Sequence, residues 1–118
     1  MGKLTTHVLD TAHGRPGAGI KVELHAIAGE TRRRLLLTTH TNADGRCDAP
    51  LLEHDAFIAG EYELIFHAGD YFAAMGVVLP SPRFVDRVAL RFGIADSGSH
   101  YHVPLLVSPW SYSTYRGS

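Results

Sequence analysis

The feature that most restricts this chain is a period-two alternation of apolar and polar residues that returns along most of its length, with almost no sustained helical period. A two-residue repeat sends successive side chains to opposite faces of an extended strand, so each stretch has one face to bury and one to wet. Ile20, Val22, Leu24 and Ala26 alternate with Lys21, Glu23 and His25, and Tyr62, Leu64 and Phe66 alternate with Glu61, Glu63 and His67. A third stretch places Phe84, Val88, Leu90 and Phe92 on one side and Val85, Arg87, Ala89 and Arg91 on the other. Further strands are predicted over 4–10, 34–41, 46–49, 100–108 and 112–116.

Turn formers separate these stretches: Gly14, Pro16, Gly17 and Gly19; Ala28-Gly29-Glu30; Asn42-Ala43-Asp44-Gly45; and Asp96-Ser97-Gly98-Ser99. One short helix is expected over 71–75, with Asp70 as N-cap and Gly76 as its stop. About eight short strands with one helical segment spell an all-β, two-sheet sandwich. A length of 118 residues leaves room for one core, so residues 1–118 are taken as a single domain.

Eleven basic against twelve acidic residues give a formal charge of -1, which supplies no field to draw nucleic acid. The apolar runs 76–80 and 103–107 fall far short of the ~20 residues of a membrane helix. The N-terminal residues enter a strand pattern without an apolar leader, and a lone Cys47 forms no intrachain disulfide, so a cytoplasmic location is expected. The outlying number is eight histidines, whose full protonation would carry the charge from -1 to +7. A site built on imidazole is therefore worth seeking.

His100 and His102 stand two apart on a predicted strand and share a face, while Tyr101, Val103, Leu105 and Val107 point oppositely into a core. On the first strand Thr5, His7 and Leu9 share a face opposite Leu4 and Val8. Arg46 follows the Asp44-Gly45 turn; in a strand it would face away from Cys47, which then serves as a small core filler rather than a nucleophile. Each of these residues has a commoner fate, since paired histidines and a post-turn arginine are usually plain surface groups. Three imidazoles on two strands are also the ligand set of an open zinc site. The glycines at 14, 17 and 19 precede a strand rather than a helix, which removes a phosphate-loop reading.

Five segments in order carry a resemblance: Leu4-Thr5-Thr6-His7-Val8-Leu9-Asp10 with Gly14 and Pro16; Ala43-Asp44-Gly45-Arg46; Gly69-Asp70-Tyr71-Phe72; His100-Tyr101-His102-Val103-Pro104-Leu105-Leu106; and Tyr115-Arg116-Gly117-Ser118. Together they resemble the 5-hydroxyisourate hydrolases, the transthyretin-like enzymes of urate degradation, over essentially the whole chain. The terminal tetrapeptide is the most specific part, because it separates these enzymes from hormone-carrying transthyretins. Two departures stand out: Gly17 where alanine is usual, and Trp110-Ser111 in place of a Phe-Gly pair.

The resemblance implies a transthyretin-like eight-stranded sandwich assembled as a homotetramer, a dimer of dimers, with sites in a channel between dimers. It implies hydrolysis of the small molecule 5-hydroxyisourate to 2-oxo-4-hydroxy-4-carboxy-5-ureidoimidazoline, with no cofactor and no metal. Carried onto matching positions, the catalytic residues are His7, Arg46, His100 and Ser118. His102, Tyr115, Arg116 and Gly117 join His7 and Arg46 in holding substrate. An imidazole, with His100 and His7 as the pair, would deprotonate water while Arg46 meets the developing oxyanion. Two other classes remain open at the level of sequence: a zinc-binding histidine cluster, and a transthyretin-like carrier that binds a small ligand without turnover.

Overall fold

The computed structural model describes residues 2–117 and is built from two antiparallel-rich sheets facing each other across one core. In chain order the elements are β1 (Lys3–Asp10), β2 (Arg15–Pro16), β3 (Lys21–Ala28), β4 (Arg32–His40), β5 (Leu52–Glu53), a 3-10 turn (His54–Ala56), β6 (Gly60–His67), α1 (Ala68–Ala74), β7 (Arg87–Ile94), β8 (His100–Val107) and β9 (Tyr112–Thr114). One sheet runs β2-β1-β8-β9, with β5 also pairing β1; the other runs β4-β3-β6-β7. The all-β sandwich read from the alternation is the architecture present.

The alternation does what period two requires. Leu4 and Val8 of β1, Val22 and Leu24 of β3, Leu64 and Phe66 of β6, Val88 of β7 and Leu105 and Val107 of β8 are buried and meet between the sheets. Tyr101 and Val103 join them, as their side of β8 predicts. Among the described residues there are nine strand segments rather than eight, because two segments of two residues, β2 and β5, pair with the ends of β1.

Four local expectations need correction. No strand forms over 46–49: Arg46 makes an isolated bridge to His7, and the pairing with the start of β1 falls instead to β5. The helix begins at Ala68, three residues early, with His67 at the N-cap position; Asp70 lies in its first turn and accepts from Arg83 Nη1 at 2.7 Å instead of capping. Gly76, at φ 86°, does end it. Phe84 is 74% exposed and Val85 is buried, the reverse of the predicted sides, because β7 starts only at Arg87. Residues 83–86 form instead an irregular segment tied down by Gly69 N–H to Asp86 O at 2.9 Å and by Arg83 to Asp86. β4 begins at Arg32 and carries a bulge where β3 passes from Leu24 to His25.

One polar knot joins the end of β1 to α1. The Asp10 carboxylate is fully buried and accepts four hydrogen bonds, from the Ala12 and His13 amides, His13 Nδ1 and the Tyr71 hydroxyl, at 2.7–3.0 Å. A buried charge persists only when so surrounded.

Candidate active site

β1 and β8 lie side by side and parallel at the centre of their sheet, and their register sets Thr5 opposite His102, Lys3 opposite His100, and His7 opposite Pro104. Because alternate residues share a face, Thr5 and His7 on one strand and His100 and His102 on the other all project from the outer face of the sandwich. The consequence is a close polar cluster. Thr5 Oγ1 lies 2.7 Å from His100 Nε2 and 2.8 Å from His102 Nδ1.

Arg46 reaches this face on a turn whose geometry is local in origin. Asn42 Oδ1 accepts from the Asp44 and Arg46 amides, and Gly45 N–H donates to Asn42 O at 2.9 Å. Gly45 has φ 77°, and a Cβ there would collide with the Val8 carbonyl, so only glycine lets the turn pack against β1. Val8 N–H then donates to Gly45 O at 2.8 Å, and Arg46 bridges to His7. His7 Nε2 donates to the Asp44 carbonyl at 2.9 Å, which leaves its Nδ1 as the acceptor nitrogen.

A cavity of about 490 Å³ opens over this cluster, lined among others by Lys3, Thr5, Arg46, Cys47, His100 and His102. His7 is not among its lining residues but bridges to Arg46, which is. Burial, then the nearby Arg46, His100 and His7, hold the His102 imidazole below its ordinary pKa and so favour the neutral ring. Cys47 was expected to leave the site when Arg46 entered it; instead both line the cavity, because the chain here is a turn and strand alternation does not apply. Burial and Asp48 push the Cys47 thiol upward, away from the thiolate that nucleophilic chemistry needs.

The C-terminal segment is held, not frayed, through Gly117. Its amide donates to His102 O at 2.7 Å. Arg116 does not enter the imidazole cavity: its guanidinium sits 4.0 Å above the Tyr101 ring, and Nη2 lies 3.4 Å from His100 O. With Tyr115 it lines a separate cavity of about 200 Å³ that also includes Leu90, Phe92 and Val103. Ser118 lies outside the described residues. The structure thus brings together Arg46, His100, His102 and Gly117, with His7 beside them, and directs Tyr115 and Arg116 elsewhere.

Sequence reasoning did not single out Thr5 or Lys3 as site residues. The face of Thr5 is readable from alternation, but its contact with two histidines 95 and 97 positions away depends on the β1–β8 register. Among the described residues no group of three or more His, Cys, Asp or Glu side chains is placed to hold a metal ion, so His7, His100 and His102 do not converge as a zinc reading demands.

Comparison with known proteins bears on the family and the fold. The profile of the HIUase/Transthyretin family matches residues 4–117. A 5-hydroxyisourate hydrolase of Ralstonia nicotianae is 63% identical over 118 residues, covering 100% of both chains. The structure of Klebsiella pneumoniae 5-hydroxyisourate hydrolase superposes with a TM-score of 0.81 at 36% identity, covering 100% of both chains. A crystal structure of (S)-allantoin synthase superposes with a TM-score of 0.93 at 46% identity over 99% of this chain, which spans 44% of that longer one. The chain belongs to the HIUase/Transthyretin family.

Proposed function

We propose that this protein is a hydrolase that converts 5-hydroxyisourate to 2-oxo-4-hydroxy-4-carboxy-5-ureidoimidazoline in urate degradation, without a cofactor. The observation that carries the reading is the polar cavity on which two imidazoles from β8 meet the Arg46 guanidinium. The Ralstonia nicotianae relative, 63% identical, bears the name 5-hydroxyisourate hydrolase.

Opening an oxidised purine ring with water needs a base for the water and a positive charge for the oxyanion that forms. An imidazole of the His100 and His7 pair takes the water's proton. Arg46, whose planar fork suits vicinal ring oxygens, polarises the attacked carbonyl and stabilises the oxyanion. His102, kept neutral by burial and by Arg46, adds no positive charge that would compete for the substrate's oxygens. The Gly117 amide is bonded to His102 O, and the neighbouring residue in sequence, Ser118, is the further group assigned to the reaction. Tyr115 and Arg116 line a separate cavity and are given no part in this chemistry.

The assembly we propose is a homotetramer, a dimer of dimers, in which the exposed imidazole face is roofed by another copy. The proposed compartment is the cytoplasm; among the described residues no helix is long and apolar enough to cross a membrane. The test is loss of 5-hydroxyisourate absorbance, with substrate generated in place from urate. Wild type is expected to accelerate the loss, and His100→Ala to lose ~10²-fold or more of that rate, the usual range for a positioned acid or base. A variant as fast as wild type would remove His100 from the reaction.

A further inference from the structure

A threonine hydroxyl has one hydrogen to give and two lone pairs to share. Thr5 Oγ1 nevertheless contacts two ring nitrogens, His100 Nε2 at 2.7 Å and His102 Nδ1 at 2.8 Å. It can donate to only one of them, so the other ring must donate to it. Two arrangements of neutral rings satisfy the geometry. In the first, His100 Nε2–H donates to Oγ1, Oγ1–H donates to His102 Nδ1, and both rings carry their hydrogen on Nε2. In the second, His102 Nδ1–H donates to Oγ1, Oγ1–H donates to His100 Nε2, and both rings carry it on Nδ1.

From this we infer that Thr5 is a positioning residue that locks His100 and His102 into the same tautomer and lets a proton pass from one ring to the other. The inference rests on the hydrolase reading for its catalytic part and deepens it. The balance is simple. His100 Nδ1 takes a proton from the attacking water as the O–C bond forms. The Nε2 hydrogen moves to Thr5 Oγ1, the former hydroxyl hydrogen moves to His102 Nδ1, and His102 Nε2–H is released to the ring nitrogen that leaves as the C–N bond breaks. One proton enters and one departs, no ring ends charged, and the pair passes from the first arrangement to the second. Exchange with solvent water resets it.

Three features support such a relay. Thr5 sits directly opposite His102 in the parallel β1–β8 register, and Lys3 and Leu4 just before it pair with β5 on the other side of β1. A β-branched side chain in a strand is stiff at χ1, which holds the hydroxyl between the rings. His102 is buried enough, and near enough to Arg46, to resist becoming a resting imidazolium, so a proton that reaches it is passed on.

The experiment compares wild type, Thr5→Val and Thr5→Ser. Nitrogen-15 NMR of the imidazoles, recorded without substrate, is expected to find His100 and His102 in the same tautomer in wild type and Thr5→Ser, and in independent tautomer populations in Thr5→Val. In turnover of 5-hydroxyisourate, Thr5→Val is expected to lose ~10–10²-fold in kcat with KM within about twofold, and Thr5→Ser to recover most of kcat. Opposite tautomers in wild type, or a Thr5→Val enzyme with wild-type kcat, would overturn the inference. A wild-type protein that does not turn over 5-hydroxyisourate would overturn the hydrolase reading instead, and the tautomer measurement would still decide the coupling.

Discussion

Gly117 is where the end of the chain and the imidazole cluster share the least space. A methyl group at Gly117 would stand 2.7 Å from His102 Cδ2 and 3.2 Å from both Cβ and Cγ, where ordinary carbon contacts begin near 3.4 Å. Something must therefore yield by ~0.7 Å in Gly117→Ala, a strain of the kind overpacking imposes. If the ring yields, the 2.8 Å contact of His102 Nδ1 with Thr5 Oγ1 stretches toward ~3.5 Å and ceases to be a hydrogen bond. If the tail yields, the 2.7 Å bond from Gly117 N–H to His102 O lengthens and its hold on the β8 backbone at His102 is lost. Displacements approaching 1 Å among catalytic groups cost up to ~10²-fold in rate, equivalent to ~2.7 kcal/mol of barrier. The tail around it is largely exposed, so global stability should fall by ~1 kcal/mol or less. The assay is steady-state turnover of 5-hydroxyisourate beside thermal unfolding followed by circular dichroism. The expected result is kcat down ~10–10²-fold with the melting temperature lowered by only a few degrees. A Gly117→Ala enzyme with undiminished kcat would refute the reasoning that this contact aligns His102.

Two other outcomes test the electrostatics and the core. Tyr71→Phe removes a 2.7 Å donor to the buried Asp10 carboxylate and should cost ~1.5–3 kcal/mol, read as a lower urea midpoint at constant m. Burial and Asp10 push the Tyr71 hydroxyl up to about 12, so the folded state keeps that proton longer than the unfolded chain. Stability from this group is complete below the unfolded value near ~10 and drains as pH climbs toward 12; Tyr71→Phe should lack that alkaline slope, and an identical slope would refute the pairing. For His102, a proton NMR titration should find a midpoint below the ordinary ~6.5, since burial and the Arg46 charge both disfavour its cation. In Arg46→Gln the midpoint should rise yet stay under that value because burial, the larger cause, remains; a wild-type midpoint at or above 6.5 would contradict the description of the site.

Much of this molecule is written in local pattern. Period-two alternation assigned the inward sides of β1, β3, β6 and β8, and it did so because a strand's two faces are fixed by covalent geometry alone. It failed over 84–86 and 46–49, where the backbone leaves the extended form and successive side chains no longer alternate. Asp70 looked like a helix cap from its neighbours, but Arg83, thirteen residues on, claims its carboxylate.

The site divides in the same way. That His100 and His102 share a face, and that Asn42 to Gly45 must turn ahead of Arg46, follows from residues close in the chain. That Thr5 lies between the two imidazoles, that Cys47 lines the cavity beside Arg46, and that Gly117 packs on His102 while Arg116 stacks on Tyr101 were decided only by tertiary structure. The Thr5 contact depends on the parallel register of two strands nearly a hundred residues apart, and the others on how the turn and the tail dock on that sheet; both are set by the packing of the whole core rather than by any segment of the chain.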